Sequence, residues 1–213
     1  PAGAHCNLAC KYCYYLEKNN LYQNSHRHLM SDEMLEQFTR EYIEAQTMPQ
    51  VLFTWHGGEP LMRSIDFYKK ALALQKKYAH GKQIDNVIQT NGTLLTDEWC
   101  EFFAKNHWLV GISIDGPQEY HNHYRMTPAG KPSWEKVMQG ISLLKKHRVE
   151  WNAMAVVNAY NAEHPLEFYH FFRDNGCQYL QFTPIVERLT EHEDGRTLAS
   201  LADDREIPLA DAS

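Results

Sequence analysis

The sequence has no long apolar run, no excess of basic residues and few cysteines. No apolar stretch approaches the roughly 18 residues typical of a membrane-spanning helix, so we expect no membrane span. Lysine and arginine together number 21 against 27 aspartates and glutamates, and this net charge of -6 argues against a nucleic-acid-binding surface. The opening PAGAHCNLAC does not resemble a signal peptide. The hydrophobic content of 43% is sufficient for an ordinary globular core.

Cysteine is scarce but unevenly distributed. Of the five cysteines, three lie in the stretch CNLACKYCYY, where Cys6, Cys10 and Cys13 have the spacing C-x3-C-x2-C. An odd number of cysteines with three clustered is typical of a metal site in a reducing compartment, not of a disulfide framework. We expect Cys100 and Cys177, which stand alone in apolar or helical contexts, to be structural thiols.

Short β-rich runs alternate with helical patterns along the chain. Strands are predicted over residues 51–57, 86–92, 109–116, 151–158 and 179–186. The helical patterns between them begin after capping residues such as Ser31, Thr96 and Ser133. This β-α-β-α order predicts a parallel sheet with right-handed crossovers. Polar residues recur at several strand ends (WHGGEP, QTNG, SIDGP), which favours a barrel or partial barrel over an open doubly wound sheet.

The segment LVGISIDG shows the alternation expected of a barrel strand. One face carries Val110, Ile112 and Ile114, and the other carries Gly111, Ser113 and Asp115. The bulky face would pack against helices, and the small polar face would line a cavity. We expect at least one of Gln89 and Asn91 to line the same cavity. Asp115 and the Gly-Pro pair after it could instead form only a turn.

Three thiolates are one ligand too few for a closed structural zinc site. His5 could be a fourth ligand, but it directly precedes Cys6 and its geometry would be poor. Catalytic zinc on three cysteines is a further possibility. A cubane 4Fe-4S cluster on three thiolates keeps open positions on one iron, which an amine and a carboxylate of one small molecule can chelate. S-adenosylmethionine carries both groups, and an electron from the cluster would split it to a 5′-deoxyadenosyl radical.

The motifs resemble those of a known family. CNLACKYCYY resembles the cluster loop of the radical S-adenosylmethionine superfamily, and TWHGGEPL resembles its second motif. With IQTNGTLL, GISIDGP, YHNHYR and FTPIVER, the chain is similar to anaerobic sulfatase-maturating enzymes. The resemblance implies an α/β fold, a partial (β/α)6 TIM-like barrel over residues 1–187 that lacks most of its first strand. Residues 188–213 would be a polar tail or linker towards a missing C-terminal domain with auxiliary clusters.

The resemblance also implies roles for individual residues. Cys6, Cys10 and Cys13 would bind the 4Fe-4S cluster. The positions implied to bind S-adenosylmethionine are Tyr12, Gly57, Gly58, Ser113, Arg125 and Val186. Tyr12 would face the adenine, the glycines would let the backbone approach the methionine end, and Arg125 would clamp the carboxylate. Each could instead have a structural role, and the proton acceptor is expected outside this chain.

Three other features carry weaker expectations. Glu59 is expected to fix the glycine-rich loop and not to touch substrate. His121 and His123 are predicted to lie in a loop and not to bind metal. The long connection over residues 117–132 is predicted to be a loop whose MTPAGKP segment contacts a substrate peptide.

The function implied by the resemblance is oxidation of a cysteine or serine in a sulfatase to formylglycine. The implied partners are an unfolded sulfatase segment and an electron donor such as flavodoxin or ferredoxin, in a reducing, anaerobic cytoplasm. Another radical peptide-modifying enzyme, one that forms thioethers or crosslinks, would share these barrel motifs. A non-catalytic zinc or iron–sulfur binding module is the alternative from a different class. The choice between cysteine and serine, the target sulfatase and the oligomeric state stay open.

Overall fold

Five parallel strands form the centre of the fold in the computed structural model, which describes residues 2–13, 15 and 29–185. The strands are β1 (Gln50–Trp55), β2 (Gln83–Thr90), β3 (Leu109–Ser113), β4 (Trp151–Val157) and β5 (Leu180–Pro184). They are neighbours in the order β1-β2-β3-β4-β5, and each pair is parallel. The sheet curls into a half-barrel, which confirms the predicted partial barrel.

Helices connect successive strands, as the β-α-β-α order predicts. They are α1 (Asp32–Ala45), α2 (Ile65–Tyr78), α3 (Asp97–Lys105), α4 (Gln118–Tyr124), α5 (Trp134–Lys146), α6 (Ala159–Ala162) and α7 (Pro165–Asp174), with a 3-10 turn at Pro60–Met62. Ser31 and Thr96 accept hydrogen bonds from the backbone of α1 and α3, which confirms these two predicted caps. Ser133 occupies the predicted N-cap position of α5, but its side chain makes no cap hydrogen bond.

One face of the sheet packs into an aromatic core. Trp55 and Trp108 flank the ring of Tyr68, with centroid distances of 5.6 and 5.5 Å. The core also encloses a satisfied polar group, because the indole of Trp55 donates to Oδ1 of Asn86 at 2.8 Å and Gln75 pairs with the same amide. In β3 the predicted bulky face is fully buried at 110, 112 and 114.

The opposite face of the sheet carries polar side chains. Gln89, Gly111 and Asn152 are partners across β2, β3 and β4. A Cβ on Gly111 would lie 2.1 Å from Oε1 of Gln89, so glycine here makes room for the glutamine amide. That amide donates to Oγ of Ser113 at 2.9 Å. Gln89 therefore lies on the face that the sequence predicts to line the cavity.

Residues 2–5 run beside the loop that follows β1. Ala2 donates to the carbonyl of His56 at 2.8 Å, Gly58 to that of Gly3 at 3.0 Å, and Glu59 to that of His5 at 2.7 Å. These bonds join the segment to the loop that follows β1 and place the cysteine loop near the carboxyl end of that strand.

The prediction of a long loop over residues 117–132 is wrong for 118–124, whereas 125–132 do form a loop. Residues Gln118–Tyr124 form α4, and a bridge between Met126 and Pro132 closes a tight turn after it. A helix of 7 residues is too short to show a clear hydrophobic period, and the preceding Asp-Gly-Pro reads as a turn. His121 and His123 therefore lie on a helix.

No helix within the described ranges is long and apolar enough to cross a membrane.

Candidate metal centre

The cysteine loop rests against the chain that follows α4. Ala9 donates its backbone N–H to the carbonyl of Met126 at 2.7 Å, and Lys11 donates to that of Tyr124 at 3.0 Å. Inside the loop, Cys13 donates to the carbonyl of Cys10 at 2.9 Å. These bonds fix the loop backbone on both sides of Cys10.

The three thiols lie close enough to affect one another. Burial raises the pKa of Cys10 to about 12, the charge of Arg125 opposes the shift, and Cys13 and Cys6 add to it. Among the described residues, no three histidine, cysteine or acidic side chains converge on a single ion. A cubane cluster binds each of three thiolates to a different iron, whereas a closed tetrahedral zinc site needs a fourth protein ligand. The donor set therefore fits a 4Fe-4S cluster. His5, the possible fourth zinc ligand, is exposed.

Two donors point at the sulfur of Cys6. The amide of Asn91 lies 3.7 Å from Sγ, and the backbone N–H of Leu8 lies 3.4 Å from it. Asn91 is itself held, because it donates to Asn7 at 2.9 Å and accepts from the backbone of Thr93 at 3.0 Å. Donors of this kind stabilise a thiolate and influence the potential of a metal bound to it.

Glu59 locks the glycine-rich loop to the end of β2. Oε1 accepts from the backbone of Leu61 at 2.9 Å and from the hydroxyl of Thr90 at 2.6 Å, and Oε2 accepts from the backbone of Asn91 at 2.8 Å. Burial raises the pKa of Glu59 to about 7. The predicted loop-fixing role of Glu59 is confirmed.

Gly57 and Gly58 are required by the backbone around them. Gly57 has a φ of 149°, which favours glycine. A Cβ on Gly58 would lie 2.1 Å from the carbonyl oxygen of His5. The close approach at Gly58 is thus made by the chain itself, while the predicted approach of a methionine end remains a prediction.

Asp115 and Arg125 form a buried ion pair beside the cysteine loop. Arg125 donates from Nε to Oδ2 at 2.9 Å and from Nη2 to Oδ1 at 3.0 Å. The hydroxyl of Tyr12 donates to the same carboxylate. Burial opposes ionisation of Asp115, but the charge and hydrogen bonds of Arg125, together with the hydrogen bond from Tyr12, outweigh it, so the pKa of Asp115 lies below its ordinary value. The sequence left open a mere turn at Asp115; the structure shows an ion pair.

The Arg125 guanidinium that is predicted to bind a ligand carboxylate also binds Asp115. One edge, formed by Nε and Nη2, faces Asp115. The edge formed by Nη1 and the second hydrogen of Nη2 is not used by Asp115 and can receive a carboxylate. A ligand role for Arg125 therefore stays compatible with the ion pair. Arg125 is buried, so the alternative of an exposed structural arginine is wrong.

His121 accepts a hydrogen bond from the backbone of Asp115. The backbone N–H of Asp115 donates to Nδ1 of His121 at 3.2 Å. Nε2 then carries the proton towards Oγ of Ser133, at 2.9 Å, and that hydroxyl donates to the carbonyl of Arg125 at 2.8 Å. Burial lowers the pKa of His121 to about 3, so the ring is neutral near pH 7.

Two predicted site positions, Ser113 and Val186, and one residue predicted not to bind metal, His123, remain. Ser113 is half-buried beside Gln89, two residues before Asp115. His123 packs on Tyr160, with ring centroids 4.5 Å apart. Val186 lies outside the described residues. The structure thus brings together the cysteine loop, Tyr12 and Arg125.

Sequence reasoning missed the two side chains that support this arrangement. The sequence predicts only that His121 does not bind metal, and it gives Asn7 no role beyond its place in the cysteine motif. Both act through partners distant in sequence, since Asn7 donates to Thr93 across 86 positions at 2.8 Å. The local signal in the sequence was the polar side chain of Asn7, which lies between two cysteines of the motif.

Known proteins share both the sequence and the fold. A family model described as Radical SAM superfamily matches residues 1–172. The chain is 70% identical over 213 residues to a serine-type anaerobic sulfatase-maturating enzyme of Bacteroides thetaiotaomicron, which covers 100% of this chain and 51% of that relative. It is 36% identical over 193 residues to a cysteine-type anaerobic sulfatase-maturating enzyme of Clostridium novyi, with coverages of 90% and 51%.

A solved structure described as native anSMEcpe with bound AdoMet and Kp18Cys peptide aligns with a TM-score of 0.82. Its sequence identity is 34%, over 90% of this chain and 51% of that chain. The chain spans about half the length of the curated relatives it matches. The family match extends over the cysteine loop, the glycine-rich loop and β1 to β4 of the half-barrel, and this chain therefore belongs to the radical SAM superfamily.

Proposed function

We propose that this protein binds a 4Fe-4S cluster through Cys6, Cys10 and Cys13, binds S-adenosylmethionine beside it, and oxidises a serine or cysteine of a sulfatase to formylglycine. The observation that carries the proposal is a set of three neighbouring thiols beside a buried arginine whose second guanidinium edge is not used by Asp115, at the polar end of a half-barrel. The 70% identity to a serine-type sulfatase-maturating enzyme supports the choice of substrate.

The chain's own residues bind and orient the reactants. Arg125 offers its second guanidinium edge to the carboxylate of S-adenosylmethionine. Tyr12 and Ser113 would line the nucleotide side, and Gly57 and Gly58 would adjoin the methionine end. A backbone contact is proposed for Val186. When bound, the cluster supplies the electron that cleaves S-adenosylmethionine to a 5′-deoxyadenosyl radical. By orienting S-adenosylmethionine, these residues would determine where the radical forms relative to the substrate Cβ.

The change in the substrate is a two-electron oxidation. One hydrogen atom of the Cβ leaves with the adenosyl carbon and forms 5′-deoxyadenosine. A serine then loses its hydroxyl proton and one further electron, which restores the electron first spent, and leaves an aldehyde. A cysteine loses the equivalent proton and electron and exchanges sulfur for the oxygen of water, with release of hydrogen sulfide.

Serine is the favoured substrate residue. The chain is 70% identical to a serine-type relative and 36% identical to a cysteine-type relative. The solved structure with TM-score 0.82 contains a bound Kp18Cys peptide, so a cysteine peptide is kept as the second substrate to test. A sulfatase segment in this protein would lie over the polar face of the sheet, near Gln89 and Ser113.

The conditions and partners follow from the cofactor chemistry. An electron donor such as flavodoxin or ferredoxin reduces the cluster, and an anaerobic, reducing cytoplasm protects it. We assign residues 1–187 to the barrel and expect the proton acceptor in a further domain, towards which residues 188–213 would lead. The chain covers 51% of each of two relatives, which leaves room for such a domain in those proteins.

The test is peptide oxidation by the full-length protein, reconstituted anaerobically and supplied with S-adenosylmethionine and dithionite. A sulfatase peptide with serine at the target position should lose two hydrogen atoms and gain an aldehyde that a hydrazine probe captures. The cysteine peptide should react more slowly, and the alanine peptide should not react. C13A should abolish the reaction, whereas C177A, which removes a thiol outside the loop, should retain it.

Two outcomes would overturn the proposal. Loss of two hydrogens without a capturable aldehyde indicates a crosslink or thioether, and hence another radical peptide-modifying enzyme. Colourless protein with stoichiometric zinc and no cleavage of S-adenosylmethionine indicates a non-catalytic binding module.

A further inference from the structure

Asp115 joins four separate parts of the chain through one buried carboxylate. It lies just after β3 and has no exposed surface. It accepts two hydrogen bonds from Arg125, one from the hydroxyl of Tyr12 and one from the backbone N–H of Val156 at 2.9 Å. His121 accepts the backbone N–H of Asp115 at 3.2 Å. Because the carboxylate is enclosed by these donors, it is positioned to hold other groups and not to touch a ligand.

The contact with Tyr12 reaches into the middle of the cysteine loop. Tyr12 stands between Cys10 and Cys13, and its hydroxyl is the side-chain link from the loop to the end of β3, across 103 positions of sequence. The guanidinium carbon of Arg125 lies 5.4 Å from the centre of the Tyr12 ring. One carboxylate thus anchors both the loop and the arginine next to it.

The backbone around this carboxylate is also fixed. The chain from 124 to 126 gives carbonyls to Ala9 and Lys11 of the cysteine loop, at 2.7 and 3.0 Å. Ser133 holds the carbonyl of Arg125, and His121 holds the hydroxyl of Ser133. The loop, the arginine and the end of β3 therefore form one connected unit in which Asp115 accepts the side-chain bonds.

We propose that Asp115 is a positioning residue that holds the cysteine loop and the Arg125 guanidinium in their cofactor-binding arrangement before either cofactor binds. The part that concerns the cofactors rests on the proposed function, whereas the part that concerns the loop does not. Removing the bond from Tyr12 to Asp115 lets the loop open locally while the aromatic core stays folded.

The test is the alkylation rate of individual cysteines in the metal-free protein, measured by mass spectrometry of iodoacetamide-treated peptides. Cys10 is buried within the loop, and Cys100 is fully buried in the core and reports global unfolding. Y12F removes one hydroxyl and keeps the ion pair of Asp115. We expect Y12F to raise the Cys10 rate about tenfold and D115N to raise it about 10- to 100-fold, with Cys100 unchanged in Y12F.

A matched control is available on the surface. The hydroxyl of Tyr78 donates to Glu36 at 2.6 Å, so Y78F deletes the same kind of bond without touching the loop. Y78F should leave the Cys10 rate at its wild-type value. The double variant of Y12F and D115N should label no faster than D115N alone, because both changes remove one shared bond.

The decisive comparison is Y12F, since D115N leaves a buried arginine without its partner and can unfold the protein. If D115N also exposes Cys100, Y12F alone decides. A wild-type Cys10 rate in Y12F, with Cys100 protected, overturns the proposal. A parallel rise of Cys10 and Cys100 in Y12F overturns it as well, because the contact would then support only global stability.

A second readout tests the link to the cofactors. Y12F reconstituted with iron and sulfide should lose iron to a chelator about tenfold faster than wild type, and Y78F should not. If the wild-type protein binds no iron, the proposed function fails while the alkylation result still decides the role of Asp115. If the wild-type protein holds a cluster and Y12F retains it equally well, only the cofactor part of the inference fails.

Discussion

The backbone N–H of Asn91 donates to Oε2 of Glu59 at 2.8 Å, across 32 positions of sequence. This bond joins the loop after β1 to the end of β2. The same Asn91 directs its amide at the sulfur of Cys6. A carboxylate in the glycine-rich loop thereby fixes a residue that contacts the metal-binding loop, although it touches no cysteine itself.

Replacing Glu59 by glutamine should destabilise the protein by about 1–3 kcal/mol. The carboxylate accepts hydrogen bonds from three donors. In glutamine, the amide nitrogen would replace one accepting oxygen, so at least one of these donors would lose its acceptor. Urea unfolding of E59Q measures the loss. E41Q is the matched control, because Glu41 is exposed and accepts from Gln37 at the surface. Equal free energies of unfolding for E59Q and wild type would contradict this role.

The neutral state of His121 predicts a specific pH dependence. Its pKa in the folded protein is about 3, below the value of 6.5 for an unperturbed histidine, so the unfolded chain binds more protons between these values. The free energy of unfolding therefore falls as pH falls through this window, by up to about 1.4 kcal/mol per pH unit. His121 contributes its full stabilisation only above the unfolded pKa.

The H121N variant isolates this term. It lacks the imidazole, so the difference in unfolding free energy between wild type and H121N should shrink as pH falls from about 5.5 to about 4. Nitrogen-15 shifts of the imidazole should also show Nε2 protonated and Nδ1 bare at pH 5. A difference that stays constant with pH, or a charged ring at pH 5, would rule out the neutral buried histidine.

Gly58→Ala should disturb the start of the chain. The new Cβ would lie 2.1 Å from the carbonyl oxygen of His5 and 2.4 Å from its carbon, and both are backbone atoms that must move. Residues 2–5 should lose their pairing with the loop after β1, and the adjacent Cys6 should move with them. We expect G58A to take up much less iron than wild type in anaerobic reconstitution.

Gly81→Ala separates this effect from ordinary glycine strain. Gly81 has a φ of 83° and no atom within 4 Å of an added Cβ. Its replacement costs about 1–2 kcal/mol of backbone strain but lies far from any cysteine contact. G81A should therefore lose stability and keep normal iron uptake. Similar iron uptake in G58A and G81A would contradict the close approach at Gly58.

Local patterns in the sequence were sufficient to predict the strands and the spacing of the thiols. The alternation in LVGISIDG correctly placed 110, 112 and 114 in the apolar core and Ser113 on the opposite face, although Asp115 on that face is also buried, by its ion pair. Strand alternation is a property of neighbouring residues, so it is readable without tertiary contacts. The same holds for Ser31 and Thr96, whose capping bonds span three residues.

The support of the site was not predictable in this way. The bond from Tyr12 to Asp115 spans 103 positions, and Arg125 reaches Asp115 only because α4 turns the chain back towards β3. With α4 read as a loop, His121 had no defined neighbours. The sequence therefore predicts a ligand role or an exposed structural role for Arg125, and neither anticipates the buried bond to Asp115.

The most direct test of the central claim is iron-57 spectroscopy of the anaerobically reconstituted protein, with and without S-adenosylmethionine. The account predicts one cluster of four irons per cysteine loop and a change at one iron when S-adenosylmethionine is added, in wild type and C177A alike. Four irons that do not respond to S-adenosylmethionine, or protein that takes up zinc in place of iron, would contradict it.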